Sequence, residues 1–376
     1  MPDSFYLAWQ YLRRHRWTTS ILVASIALIL YLPAALQSIV ASAEQHFRSR
    51  ADSTPLVIGP RGSSLELVLR SVYFDQPSDE VMRYQQLRRV QAQKMASVIP
   101  LHTRFTARNR QIVGTTRDYL RARNLRLAAG SSWNMLGECV VGARVAEQLD
   151  VQIGDRIPVA KSTAFVLGDA PLRLRVVGLL GTTETPDDEA IFTDLETCWI
   201  IEGLGHGHAK TAKHGSLEAT SYTDITKDNA GSFHFHGDRG EFPISAMLVI
   251  PEDQKAETIL LGQYFSPDET VQIARPRKVI DSLLARIVMV RSYLLAAIAL
   301  VSLVTLVMMT LVIALSVRLR RSEIVTMRKM GCARHTIGFI LGSQVAIVLA
   351  AGLGIAAVLT AVTHRYGPEL IRLLVA

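Results

Sequence analysis

The chain has 376 residues, 49% of them hydrophobic and 20% charged, with a formal net charge of +8. Its basic residues are not interleaved with aromatic ones, which speaks against nucleic-acid binding. No G-x-S-x-G, H-E-x-x-H or paired CxxC occurs, and "GDRIPVAKST" lacks the Gly-Lys-Ser/Thr junction of a Walker A loop, so the chain does not read as an enzyme.

Residues 1–16 predict an amphipathic cytoplasmic helix ending in Arg13, Arg14 and Arg16. Residues 17–39, 292–317 and 336–363 carry no charged side chain. Each run is long enough, at about 1.5 Å per residue, to cross a hydrocarbon core of about 30 Å. Three spans are therefore expected: 17–42, the later part of a 277–317 helix, and 336–364. The first run is too long for the apolar core of a cleaved leader. It contains Pro33, which a membrane helix accepts when neighbours satisfy the freed carbonyl. The third run holds Gly342, Gly352 and Gly354 among alanines, a small-residue surface that lets another helix approach closely. The basic flanks at 13–16 and 318–335 put both on the cytoplasmic side. Residues 43–276 are then an extracytoplasmic domain, with 365–376 as an extracytoplasmic tail. Arg48, Arg50, Arg286 and Arg291 lie on the outer flanks and weaken this charge signal.

In that domain, 55–69 reads as a strand, a Gly/Pro turn and a second apolar stretch, and 80–97 as a polar helix. Residues 110–116 read as a strand. Residues 138–159 read as strand, Gly turn, short helix burying Val145 and Leu149, and strand. "LRLRVVGLL" (172–180) alternates at period two and is one strand. Residues 191–201 run from strand into helix, with Thr193 and Glu196 spaced as a capping box. Residues 242–250 form another strand. The irregular alternation predicts a mixed α/β module inserted between spans one and two. From about Ser266 a Pro-bounded start leads into a stalk helix, 277–317, that continues into span two. Cys139 and Cys198 share this domain, either as a disulfide or as two buried thiols, whereas Cys332 is cytoplasmic and reduced.

Two further stretches carry chemistry. The loop 205–240 contains His206, His208, His214, His234 and His236, half of the ten histidines. Two His-x-His pairs supply imidazole nitrogens suited to Zn²⁺ or Cu²⁺, although a solvated loop with incidental histidines also fits. The connector 318–335 lies within "RLRRSEIVTMRKMGCARHTI" (318–337), in which Ile324, Met327 and Met330 recur at three-residue spacing beside Arg320, Glu323 and Arg328. Gly331 suits a helix C-cap. A short helix docking into a groove of a cytoplasmic partner needs such a face.

That connector resembles the coupling segment of the macrolide-exporter (MacB) and FtsX-like ABC transporter permeases, the mechanotransmission type. "VVGARVAEQLDVQIGDRIPV" and "LRVVGLL" are similar to the family's outer domain. "LVIGPRGSSLELVL", "IVGTTRDYL" and "TETPDDEAIF" resemble a subgroup associated with metal-regulated gene clusters. The resemblance implies an α-helical transmembrane bundle, normally of four spans where three are read here, with a large mixed α/β extracytoplasmic domain. It implies a bacterial inner-membrane protein with no cofactor of its own, acting as a homodimer or with a related permease. ATP and Mg²⁺ would be handled by a separate cytoplasmic ATPase, contacted by Arg320, Glu323, Ile324, Met327, Arg328 and Gly331. The implied function is export or extraction of a lipid, lipoprotein, peptide or small hydrophobic compound, with a periplasmic adaptor, lipoprotein or metal-binding protein as a further partner. A zinc-linked permease using the His-rich loop, or an FtsX-like regulator of an extracytoplasmic partner, is the alternative.

Overall fold

The computed structural model describes residues 2–160, 172–207, 223–264, 266, 269–319, 321, 325–326, 329 and 334–375. The chain divides into two compact units, Met1–Gln45 with Leu283–Ala376, and His46–Ser282.

The first unit follows from the uncharged runs. In hydrocarbon every backbone polar group must be satisfied internally, which a helix does. Among the described residues, three helices are long and apolar enough to cross a membrane, over Arg16–Asp52, Pro276–Met308 and Gly338–Tyr366, with mean hydropathies of 2.2, 2.3 and 2.6 over an 18-residue stretch of each. They belong to helices Arg16–Asp52, Pro276–Leu319 and Arg334–Val375, the first running through Pro33. The short helix Pro2–Arg14 buries Ala8 and Leu12 and leaves Phe5, Tyr6 and Trp9 exposed. Leu12, Ile26 and Val348 form a small apolar cluster joined by Leu22, Val23 and Ile347. Of the three glycines singled out on the last helix, Gly352 makes the close approach: a Cβ there would stand 2.7 Å from Ile26 Cγ2. Gly342 and Gly354 have open space in front of them. Tyr31 Oη and Thr363 Oγ1, 2.9 Å apart, add a polar link between the same two helices.

The second unit has two principal sheets. One is antiparallel, in the order Val271–Ala274, Leu56–Pro60, Ala246–Pro251, Ala96–Leu101. The other is mixed, built around Leu172–Leu180, Glu138–Val141, Ala190–Asp194 and Arg110–Thr115. Leu172–Leu180 alternates buried and half-buried residues along its whole length, as its period of two predicts. Each sheet has its own apolar core. Leu56, Ile58, Trp199, Phe242, Met247 and Val271 are among the first core's residues; Ile112, Cys139, Val145, Leu174 and Ile191 are among the second's.

Two local expectations need correction, and a third, left open by the sequence, is filled in. The polar helix over 80–97 is only Gln85–Ala92. Met82–Arg83 pairs instead with Pro243–Ile244, burying Met82 and Ile244, and Lys94 at φ 53° ends the helix in the left-handed region. The second apolar stretch of 55–69 is helical, Ser64–Val72, because the Ser63 side chain caps it by accepting from Glu66 N. No Thr193/Glu196 capping box forms. Thr193 lies in a strand and donates to the Glu138 carbonyl at 2.7 Å. The cap of Leu195–Ile201 is Asp194, which accepts from Glu196 N.

Candidate functional site

Strands Leu56–Pro60 and Val271–Ala274 are hydrogen-bonded neighbours. The first begins a few residues after helix Arg16–Asp52 ends, and the second ends just before helix Pro276–Leu319 begins. Both long helices therefore continue, through very short connections, into adjacent strands of one sheet.

Side chains fasten these helix ends. Arg50, buried, donates from Nη1 to Asp187 Oδ2 at 2.6 Å and from Nη2 to Asp187 Oδ1 at 2.8 Å. Its Nη2 also donates to Tyr119 Oη at 2.9 Å and its Nε to the Val72 carbonyl at 3.1 Å. Tyr119 donates in turn to Asp187 Oδ1 at 2.6 Å. The fork-to-fork geometry is the strong form of an ion pair. Burial alone would push the Asp187 carboxyl up, but the Arg50 charge and the hydrogen bonds from Arg50 and Tyr119 outweigh it and hold the group below the usual carboxylate range. Burial pushes the Tyr119 hydroxyl up, so it stays a donor. The loop presenting Asp187 is organised by its neighbour: Asp188 accepts from the backbone of Thr183 and Glu184 and from Thr183 Oγ1. Around the same helix end, Arg123 donates to the Ser53 carbonyl and to Thr54 Oγ1, and Tyr73 donates to the Phe47 carbonyl. Two exposed pairs join the two helix ends, Arg277 to Asp52 at 2.9 Å and Arg48 to Asp281 at 3.3 Å.

Arg48 and Arg50 thus have acidic partners within this unit, which explains why they fit the charge rule for spans poorly. Sequence reasoning missed Asp187 and Tyr119. The Pro-Asp-Asp run in "TETPDDEAIF" was the available signal, but nothing in one sequence pairs it with Arg50.

The second cluster is a histidine ribbon. Gly205–Gly207 pairs antiparallel with Phe233–Phe235, with His206 directly opposite His234. Opposed residues share a face, and His236, two positions on from His234, continues along it. The ring centroids are 4.8 Å apart for His206 and His234, 4.8 Å for His206 and His236, and 4.7 Å for His234 and His236. Their ligand nitrogens all lie within 4.8 Å of one another. His206 and His236 are exposed and His234 is half-buried. On the other face, Phe233 and Phe235 lie against Gly207 and Gly205, where a Cβ would stand 2.7 Å from a ring carbon in each case. Phe235 packs on Trp199 and Phe242, with ring centroids 6.2 and 6.0 Å away. "GHG" opposite "FHF" is therefore a sequence device: glycines make room for the phenyl rings, and the rings seat the ribbon with its imidazoles outward. His208 and His214 lie outside the described residues, as do the six coupling residues Arg320, Glu323, Ile324, Met327, Arg328 and Gly331.

The cysteine alternatives resolve to two thiols. Cys139 and Cys198 are both free and buried, and burial pushes both thiols up, so they remain protonated. Cys198 packs over Gly114, where a Cβ would collide with its Sγ.

Residues 18–223 match the model of the MacB-like periplasmic core domain, which is more than half of the chain. Similar solved structures include the periplasmic region of MacB from Actinobacillus actinomycetemcomitans, at 12% identity and TM-score 0.36 over 63% of this chain and 97% of that one. The extracellular domain of the noncanonic ABC-type transporter YknZ from Gram-positive bacteria is similar at 10% identity and TM-score 0.34, over 59% and 99%. A permease-protein domain from Porphyromonas gingivalis is similar at 10% identity and TM-score 0.25, over 60% and 89%. No curated protein matches the chain.

Proposed function

The chain belongs to the MacB-like family of ABC transporter permeases, and from that premise we propose that it is the membrane subunit carrying ATP-driven motion from a separate cytoplasmic ATPase to its extracytoplasmic domain. The domain lies outside a bacterial cytoplasmic membrane in this reading, and its motion exports or extracts a lipid, lipoprotein, peptide or small hydrophobic compound. A homodimer, or a pair with a related permease, provides two such chains. Hydrolysis itself belongs to the ATPase.

The observation that carries this reading is the continuation of both long helices into neighbouring strands of one sheet, with the end of Arg16–Asp52 also tied by side chains to elements that flank the mixed sheet. A helix transmits displacement along its axis only if its end does not slip. The end of Arg16–Asp52 is held by the buried Arg50, Asp187 and Tyr119 network, and it leads into the strand paired with the one that precedes Pro276–Leu319. Displacement of either helix would load two adjacent strands directly.

The reading is tested by purifying the affinity-tagged chain from native membranes, identifying the co-purifying ATPase and measuring hydrolysis. Changing Glu323→Ala together with Arg328→Ala is expected to leave the chain folded and to lower complex-associated hydrolysis at least ten-fold. Undiminished hydrolysis and co-purification would overturn the assigned coupling segment.

A further inference from the structure

We propose that His206, His234 and His236 form a surface binding site for a single Zn²⁺ ion, coordinated by three imidazoles with a fourth position open. Zinc takes neutral imidazole nitrogens at about 2.0–2.1 Å in a tetrahedral arrangement, and three protein ligands leave one position for water or an incoming ligand. At that bond length the nitrogens of a tetrahedral site stand about 3.3 Å apart. The three histidines already hold theirs within 4.8 Å, so closure requires about 1.5 Å of approach. Rotations of exposed side chains supply that without moving the paired strands. A square-planar ion would instead need a fourth donor in the plane of these three.

Two features separate this cluster from incidental loop histidines. The first is its seating. His206 and His234 are fixed opposite one another by strand pairing, and on the other face Phe235 packs on Trp199 and Phe242 while Phe233 packs against the second core. A loop without a built face would not hold three rings within 5 Å of each other in every pairing. The second is orientation. His234 Nδ1 lies 3.2 Å from the Ser232 carbonyl oxygen, which only accepts, so in the neutral ring this contact places the proton on Nδ1 and makes Nε2 the nitrogen with ligand character. Metal-binding histidines are commonly oriented by such a bond from their second nitrogen.

The open position and the surface location make the ion exchangeable. The ribbon also rests on the core that contains Leu56 and Val271, from the two strands that lead to the long helices. Zinc binding here would clamp the ribbon against the sheet that the helices load.

The test is calorimetric titration of ZnCl₂ into the full-length chain, purified in detergent through a tag without histidines and stripped with chelator. One zinc per chain at micromolar or tighter affinity is expected. The triple variant His206→Ala, His234→Ala, His236→Ala is expected to weaken binding at least 100-fold while unfolding at the same temperature as the metal-free parent. Should the triple variant not fold, His206→Gln, a single change at an exposed position, is expected to cost at least ten-fold. Failure of the parent chain to bind zinc, or parental affinity in the variant, would overturn the proposal. Neither result depends on an ATPase, so the permease reading stands or falls separately.

Discussion

At the Arg50 junction all three nitrogens of a buried guanidinium donate to acceptors inside the fold, whereas at the histidine ribbon three groups of one kind are gathered at the surface. The first arrangement spends four of the guanidinium's five N–H donors within the fold, so its role is to hold. The second converges nitrogen atoms without a carboxylate among the three, the arrangement that the proposed zinc site uses. Burial decides between them: the Arg50 and Asp187 side chains are 4% and 1% exposed. In that setting a lost partner leaves a stranded charge, whereas in the ribbon His206 and His236 are open to solvent.

The largest effect should come from breaking the junction. Arg50→Met leaves Asp187 buried and unpaired and is expected to destabilise the His46–Ser282 unit by about 3–5 kcal/mol, read as a fall in Tm of about 2–4 °C per kcal/mol. Arg50→Met with Asp187→Leu is expected to cost less than Arg50→Met alone, because no charge is then stranded. A double variant as damaged as the single would show that the network does more than pair charges.

Acid supplies the same break reversibly. Asp187 has a depressed native pKa, so its stabilising contribution is complete above the ordinary aspartate range near 3.9 and is lost as pH falls through the lower native value. Thermal unfolding followed downward from pH 5 should show a steeper loss for the parent than for Asp187→Asn, which starts lower and lacks this group's contribution to the slope.

A smaller effect is expected in the ribbon. Gly207→Val places a side chain where Phe233 lies, at 2.7 Å, and overpacking of this kind costs about 1–3 kcal/mol. It should also weaken zinc binding although no histidine is changed; unchanged affinity would mean that seating of the ribbon does not matter. The smallest effect belongs to the exposed pair at the junction. Arg277 and Asp52 are 68% and 44% exposed, so Arg277→Met is expected to cost about 0–1 kcal/mol. A cost near that of Arg50→Met would erase the contrast between buried and exposed pairs.

Much of this architecture was legible from residues alone, and the pattern of success is physical. Uncharged runs and period-two strands write their environment into every residue, so the three long helices and Leu172–Leu180 could be read directly. The pairing of Arg50 with Asp187 could not, because it joins positions far apart in sequence through one charge on each. Thr193 misled because a Thr three residues before a Glu suits a cap equally well when it is a buried strand residue, and Asp194 took the cap. The histidines were visible as a group, but choosing His206, His234 and His236 required the register between "GHG" and "FHF".

The central claim is that motion enters the outer domain through the two fastened helix ends. Hydrogen exchange across residues 46–60 and 271–282, measured in the ATPase–permease complex with and without ATP and Mg²⁺, tests it most directly. The account predicts that nucleotide changes exchange in both segments and that Arg50→Met with Asp187→Leu reduces the change in the first. Identical exchange in the two states, while the complex hydrolyses ATP, would contradict it.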